Sequence, residues 1–310
     1  MHEVFEPRDL VGGQELAQLT VRGNARSSLR LALQLAVLAT LALTIVVADS
    51  VVIEISATIV LAAVTASMFA PFHECTHSTA FASRRLSTVA VWIAALPFGM
   101  SPTLYRDFHF AHHRHTQDLS RDPELLANPE LLLDWPKNLR DWLIVVGGWR
   151  LLRAKLTLMV NLWFFPARTF ERSRLWARKT SFNRMKWETR FLSLVWASLP
   201  VGAIAGVPGF AMLTCALLLS HLFQSAWLSS EHTGLPTEGG ILDRTRSVLT
   251  SSWIRWFLWN MNYHAEHHGW PAVPWYRLGE LHGRVGQYVT SEPGYVRLHR
   301  RVWREMRDAP

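Results

Sequence analysis

An all-α integral membrane fold, with four transmembrane helices in two hairpins beneath a cytosolic helical cap, follows from three features of the residue pattern. The 310 residues are 49% hydrophobic yet still 18% charged, which is too apolar for an ordinary soluble domain and too polar for a bundle wholly immersed in lipid. The apolar residues gather into four runs close to the length that crosses a bilayer, about 20 residues. The net charge of +8 is uneven, with Lys and Arg collected at one end of each run.

The first span is placed at residues 29–48, where Gln34 is the sole strongly polar member beyond Arg30 at its edge. Asp49 and Ser50 make a short polar break before the second span, residues 55–72, which has Glu54 at its outer edge and Pro71 near its inner one. The third and fourth spans, residues 191–207 and 210–227, are separated by little more than Pro208 and Gly209. Each pair is expected to form a helical hairpin. Arg22 and Arg26 precede the first span with Arg30 at its edge, Arg84 and Arg85 follow the second, and Arg184, Lys186 and Arg190 precede the third. Neither hairpin tip contains Lys or Arg. Cytoplasmic ends collect these residues, so both termini and the long middle segment are expected in the cytoplasm, at the inner membrane in a bacterium.

Residues 89–100 are too short to span, and residues 143–165 are interrupted by Arg150, Arg153 and Lys155. Both are expected to lie along the membrane surface, with basic and Trp side chains at headgroup level. No repeat, low-complexity tract or long linker divides the chain. Residues 1–310 are therefore read as one membrane domain, its cap drawn from 73–190 and 229–310. The polar first 25 residues show no removable signal segment. Two cysteines, Cys75 and Cys215, exclude a disulfide scaffold. A basic cap suits anionic lipid or an acidic protein partner, and nothing points to nucleic acid.

The chemistry is carried by histidines, 14 in all. His73 and His77 follow the second span four positions apart, so on a continuing helix they share a face. His109, His112 and His113 make an i, i+3, i+4 stripe, His264, His267 and His268 repeat it, and His232 comes soon after the fourth span. An isolated histidine is usually a surface or capping residue. Nine in four groups on one side of the membrane point instead to metal, because a packed core gains nothing from so many polar rings needing partners. One zinc saturates with three or four ligands, so nine imply a dinuclear site. Imidazole suits zinc, copper, nickel and iron alike. The setting favours iron, since a polynuclear site under an apolar roof suits oxygen chemistry on a lipid chain.

These boxes resemble those of the membrane fatty acid desaturase and hydroxylase superfamily, whose HxxxH, HxxHH and HxxHH pattern is matched by residues 73–77, 109–113 and 264–268. Neighbouring words match too: Tyr105 and Arg106 before the second box, Thr116, Asp122 and Pro123 after it, Asn262 and Tyr263 before the third, and Pro271, Val273, Pro274 and Trp275 after it. The resemblance covers roughly residues 60–282. It is nearest to bacterial acyl-lipid desaturase-like proteins, a neighbourhood that includes rhizobitoxine-type desaturases and carotenoid ketolases. It implies four transmembrane helices topped by a cytosolic cap that holds two Fe ions, with O2 as co-substrate. His73, His77, His109, His112, His113, His232, His264, His267 and His268 are the implied ligands. The implied reaction introduces a double bond into a fatty acyl or related lipid chain; hydroxylation or ketolation of a lipid or carotenoid is the alternative.

The stearoyl-CoA desaturase branch has an asparagine four residues before its histidine beyond the last span, where this chain has Leu228. His115 is surplus to the box pattern, and His221 lies inside the fourth span, where an ionisable group is a functional candidate. Neutral imidazoles leave the charge of the metals uncompensated, so Asp107, Asp118, Asp122, Glu231 and Glu266 are the candidates to orient them. No organic cofactor is called for. No redox domain is recognisable, so electrons are expected from a separate, ferredoxin-like donor, docked on the arginine-rich residues 168–190. A rival reading takes His73, Glu74 and His77 as a membrane-embedded HExxH zinc metalloprotease, with Glu74 as general base. It leaves seven of the nine histidines unexplained.

Overall fold

The computed structural model describes residues 7–127, 133–166 and 181–308, and it is mostly helical. Two short helices, α1 (Pro7–Leu10) and α2 (Gly13–Leu19), precede α3 (Ala25–Val47), and α4 (Val51–Ser67) returns alongside it. α5 (Phe69–His77) continues α4 after a break at Met68. Pro71 explains the break, because it has no N–H to offer the carbonyl of Ser67. Gln34, fully buried on α3, donates to Ser67 Oγ at 2.8 Å and accepts from the Trp259 indole at 2.8 Å. The strongly polar residue in the body of the first span is thus a buried tie between α3, α4 and the C-terminal segment.

α6 (Arg84–Phe98) ends at Gly99, whose φ of +70° suits glycine and where a Cβ would stand 2.3 Å from the Trp196 ring. α7 (Pro102–His115) leaves at 93° to α6. Its first turn is held by Glu188, which accepts from Ser101 Oγ at 2.6 Å, Thr103 N–H at 2.9 Å and Thr103 Oγ1 at 2.8 Å. A carboxylate there also complements the helix dipole. α8 (Pro123–Ala127), α9 (Leu139–Val146), α10 (Trp149–Phe164), α11 (Phe182–Ile204) and α12 (Phe210–His232) follow. Beyond them come β1 (Arg246–Val248), α13 (Ser252–Phe257), α14 (His264–Gly269), a 3₁₀ turn at Trp275–Arg277, α15 (Leu278–Val285), β2 (Thr290–Glu292) and α16 (Tyr295–Arg307).

Among the described residues three rods are long and apolar enough to cross a membrane: Ala25–Val47, Val51–His77 and Phe210–His232, with mean hydropathies of 2.1, 2.0 and 1.4. α6 and α7 would pass the same test only if read as one bent span. Leu33, Leu43, Val47, Val52, Ile55 and Ile59 point outward from α3 and α4, an apolar surface that suits lipid. α12 packs along α4. The third expected span, residues 191–207, is helical as far as Ile204, but α11 starts earlier and is more polar: any stretch of it long enough to cross includes Glu188 and Arg190.

Two expectations are corrected. The fold is not wholly helical, because β1 and β2 pair in parallel, with Ser247 opposite Ser291. This short ladder joins the segments before and after the third histidine box. Residues 143–165 are not one surface helix either. They break at Gly147 and Gly148, the latter at φ +78°, and Lys155 is buried at 6% exposure instead of reaching headgroup level.

Candidate metal centre

The nine expected histidines come from four helices and form two groups, each with ligand nitrogens within 4.8 Å of one another. His73, His77, His109, His113 and His267 make the first group, and His112, His232, His264 and His268 the second. Helix geometry explains the division. Each i, i+4 pair stays together, His73 with His77, His109 with His113, and His264 with His268. The remaining residue of each HxxHH box turns to the other group: His112 joins the second and His267 the first. α7 and α14 therefore each serve both groups, and the His113 ring stacks on His268 at 4.1 Å across the boundary.

In the first group Nε2 of His73 lies 2.8 Å from that of His267, and Nε2 of His77 lies 2.7 Å from that of His109. His267 Nε2 is also 3.1 Å from His77 Nε2 and 3.2 Å from His113 Nε2. One ring nitrogen carries at most one proton, so His267 cannot be hydrogen-bonded to all three. A cation fits this crowding: two nitrogens about 2.1 Å from one ion and at right angles to each other stand roughly 3 Å apart. In the second group His232 and His264 bring Nε2 atoms to 2.9 Å.

The second group is also held from behind. His112 Nδ1 donates to Asp122 at 2.9 Å, with Glu124 3.4 Å away, and His232 Nδ1 donates to the Arg244 carbonyl at 3.1 Å. His264 Nδ1 faces Glu231 at 3.4 Å, and His268 Nδ1 lies 3.3 Å from Thr116 Oγ1. A ring held through Nδ1–H turns Nε2 forward, the atom a metal would take. Against its burial, Glu124 and Asp122 raise His112 to about 9, so an ion there would displace a proton. Burial first, then neighbouring histidines, hold His264 and His268 well below the usual imidazole range, and His267 is brought down to about 3. Burial alone would raise Asp122. His112 and the N–H groups of Gln117 and Glu124 outweigh it and hold the carboxyl below its ordinary value.

Of the five carboxylates expected to orient histidines, Asp122 and Glu231 are so placed. Glu266 instead meets His282 Nδ1 and the Ser247 hydroxyl, tying α14 to α15 and β1. Asp118 pairs with Arg121 at 2.6 Å, and Asp107 is buried on α7. His115 and His221 belong to neither group. Arg168, Arg172, Arg174 and Arg178 of the expected docking face lie outside the described residues, whereas Arg184 pairs with Glu188 and Arg190 reaches the Trp163 carbonyl. Sequence reasoning missed Glu124 and the Arg244 carbonyl; Tyr105, noted there only as a neighbouring word, stacks on His109 at 5.1 Å. Thr116 was legible, being one turn beyond His112; a loop carbonyl leaves no signal.

The fatty acid desaturase family model matches residues 51–300, a stretch that holds all nine histidines. Sphingolipid delta(4)-desaturase/C4-monooxygenase DES2 of Rattus norvegicus is 23% identical over 215 residues, 67% of this chain and 58% of its own length. Its Homo sapiens counterpart is 22% identical over 244 residues, 76% of this chain and 67% of its own. An acyl-lipid (8-3)-desaturase of Thraustochytrium sp is 30% identical over 102 residues, 29% and 23% of the two chains. The chain thus spans less than two thirds of the rat relative. With well over half of its length matched around this histidine pocket, the chain belongs to the fatty acid desaturase family.

Proposed function

We propose that the chain is an oxygen-dependent di-iron enzyme that introduces a double bond into a fatty acyl or related lipid chain. The observation that supports this most is the pairing of a five-histidine group with a four-histidine group across α7 and α14. His73, His77, His109, His113 and His267 would hold one Fe ion, and His112, His232, His264 and His268 the other. When bound, the two irons supply the reduction of O2 and the oxidising power to take hydrogen from an unactivated C–H bond.

The chain's own residues orient and shield. Asp122 and the Arg244 carbonyl fix the rings of His112 and His232. Asp122 brings negative charge to ligands that have none. Phe69, Phe72, Phe98 and Tyr105 pack ring to ring beside His73 and His109, an apolar wall along which a chain methylene can lie without water. Glu74 is placed poorly for a protease base: it is fully buried, and Oε1 accepts from Thr79 Oγ1 at 2.6 Å and Trp275 N–H at 3.1 Å.

In the same reading α11 is the third of four spans, paired with α12 as α3 is with α4. The basic residues at 22–30, 84–85 and 184–190 keep both termini and the cap on the cytoplasmic side of one 1–310 domain. Electrons come from a separate, ferredoxin-like donor. A second outcome, hydroxylation, is favoured by the name of the mammalian relatives, which joins desaturase to C4-monooxygenase. Mass spectrometry of lipids from cells expressing the wild type beside His267→Ala tests the reading. A new double bond, or a new hydroxyl, should appear with the wild type alone; identical lipids from both, with both proteins present in the membrane, would refute it.

A further inference from the structure

Lys155 on α10 is 6% exposed, and no carboxylate meets it among the described residues. Its Nζ donates to the Phe98 carbonyl at 2.9 Å and to Gln224 Oε1 at 3.3 Å, and rests 3.7 Å from the centre of the Phe98 ring. An ammonium has three donors, so one is left over. Gln224, 2% exposed on α12, gives its carbonyl to Lys155 and leaves Nε2 without an acceptor. His221, one turn earlier, donates Nδ1–H to the Leu217 carbonyl at 3.1 Å and leaves Nε2 unpartnered. Trp196 joins the cluster, 5.6 Å from the His221 ring and 5.5 Å from Lys155 Nζ. Gly148 lets α10 come this close, because a Cβ there would stand 2.4 Å from the backbone of His221.

Unmet donors on Lys155 and Gln224 and an unmet acceptor on His221, all buried, are costly to fold unless something satisfies them. The aromatic wall leads from this cluster to the histidines: Phe98 meets Phe72 at 4.9 Å, Phe72 meets Tyr105 at 4.7 Å, and Tyr105 stacks on His109. Along α12, His221 stands eleven residues from His232, about 16 Å of helix.

We propose that Lys155, Gln224 and His221 bind the oxygen-bearing end, a hydroxyl or protonated carboxyl, of the lipid chain that lies along this wall. The ligand oxygen accepts from Lys155 and Gln224, and its O–H donates to His221 Nε2. The assignment of this lipid as substrate rests on the function proposed above; the binding does not.

Equilibrium binding of hexadecanol and hexadecane to the detergent-purified full chain tests it, with Lys155→Met and Gln224→Leu as variants and thermal unfolding as the check on folding. The wild type should prefer hexadecanol by roughly tenfold or more, and both variants should lose that preference while keeping their hexadecane affinity. Equal affinities in the wild type, or a preference that survives in folded variants, overturns the site. If Lys155→Met does not fold, Gln224→Leu decides. A preference lost in the variants but present in wild-type protein lacking iron supports the site and counts against the proposed function alone.

Discussion

The two histidine groups are built differently. In the second, His112 and His232 are anchored through Nδ1, and His264 and His268 have Glu231 and Thr116 behind them. In the first, no hydrogen bond through Nδ1 is present among the described residues; the rings meet one another through Nε2, and Tyr105 stacks on His109. One group is oriented by the protein before anything binds, whereas the other depends on mutual packing and on the ion it would hold. The shared helices α7 and α14 couple them, so the well-anchored side also positions the poorly anchored one.

Removing a ligand from the first group should have the largest effect. His109→Ala is expected to abolish product formation and leave about one iron per chain by elemental analysis; two retained irons would show that the group does not act as a unit. Next comes the anchor of the second group. Asp122→Ala should weaken metal binding 10–100-fold, roughly the range for such outer partners, as read by competition with a chelator. Asp122→Asn should lose less, since its carbonyl still accepts from His112. Equal losses from the two would locate the effect in charge instead of orientation.

A milder change should strike both groups alike. Glu188→Ala strips hydrogen bonds from Ser101 and Thr103 at the start of α7 and should cost about 1–3 kcal/mol of stability, seen as a lowered Tm at unchanged iron content. Loss of iron from one group alone would break the picture of α7 as a shared beam. The smallest effect belongs to His115→Gln, outside both groups, with stability expected within roughly 0.5 kcal/mol of wild type and iron unaltered.

Spacing names eight of the nine histidines that the fold gathers, because i, i+3 and i+4 positions on a helix share a face wherever the helix ends up; His232 is picked out by its place after the fourth span. The same rule contains the division into five and four: adjacent positions such as His112 and His113 point about 100° apart and serve different partners. What stayed hidden depends on contacts between distant segments. Glu188 meets Ser101 across 87 residues, and Lys155 meets Gln224 across 69; no local pattern announces either. Lys155 reads as a headgroup residue because Arg150 and Arg153 stand beside it, yet the turn at Gly148 seats α10 against α12 and buries it. α11 illustrates the reverse limit: the run from 191 is apolar, but the helix begins at Phe182 and carries charge into the same rod.

The nitrogen crowding around His267 requires cations to be tolerable, and that requirement is open to direct measurement. Metal analysis of natively purified protein, combined with X-ray absorption at the iron edge, should find about two irons per chain in a shell of imidazole nitrogens. A single zinc, or protein that is folded and active on lipid with no bound metal, would contradict it.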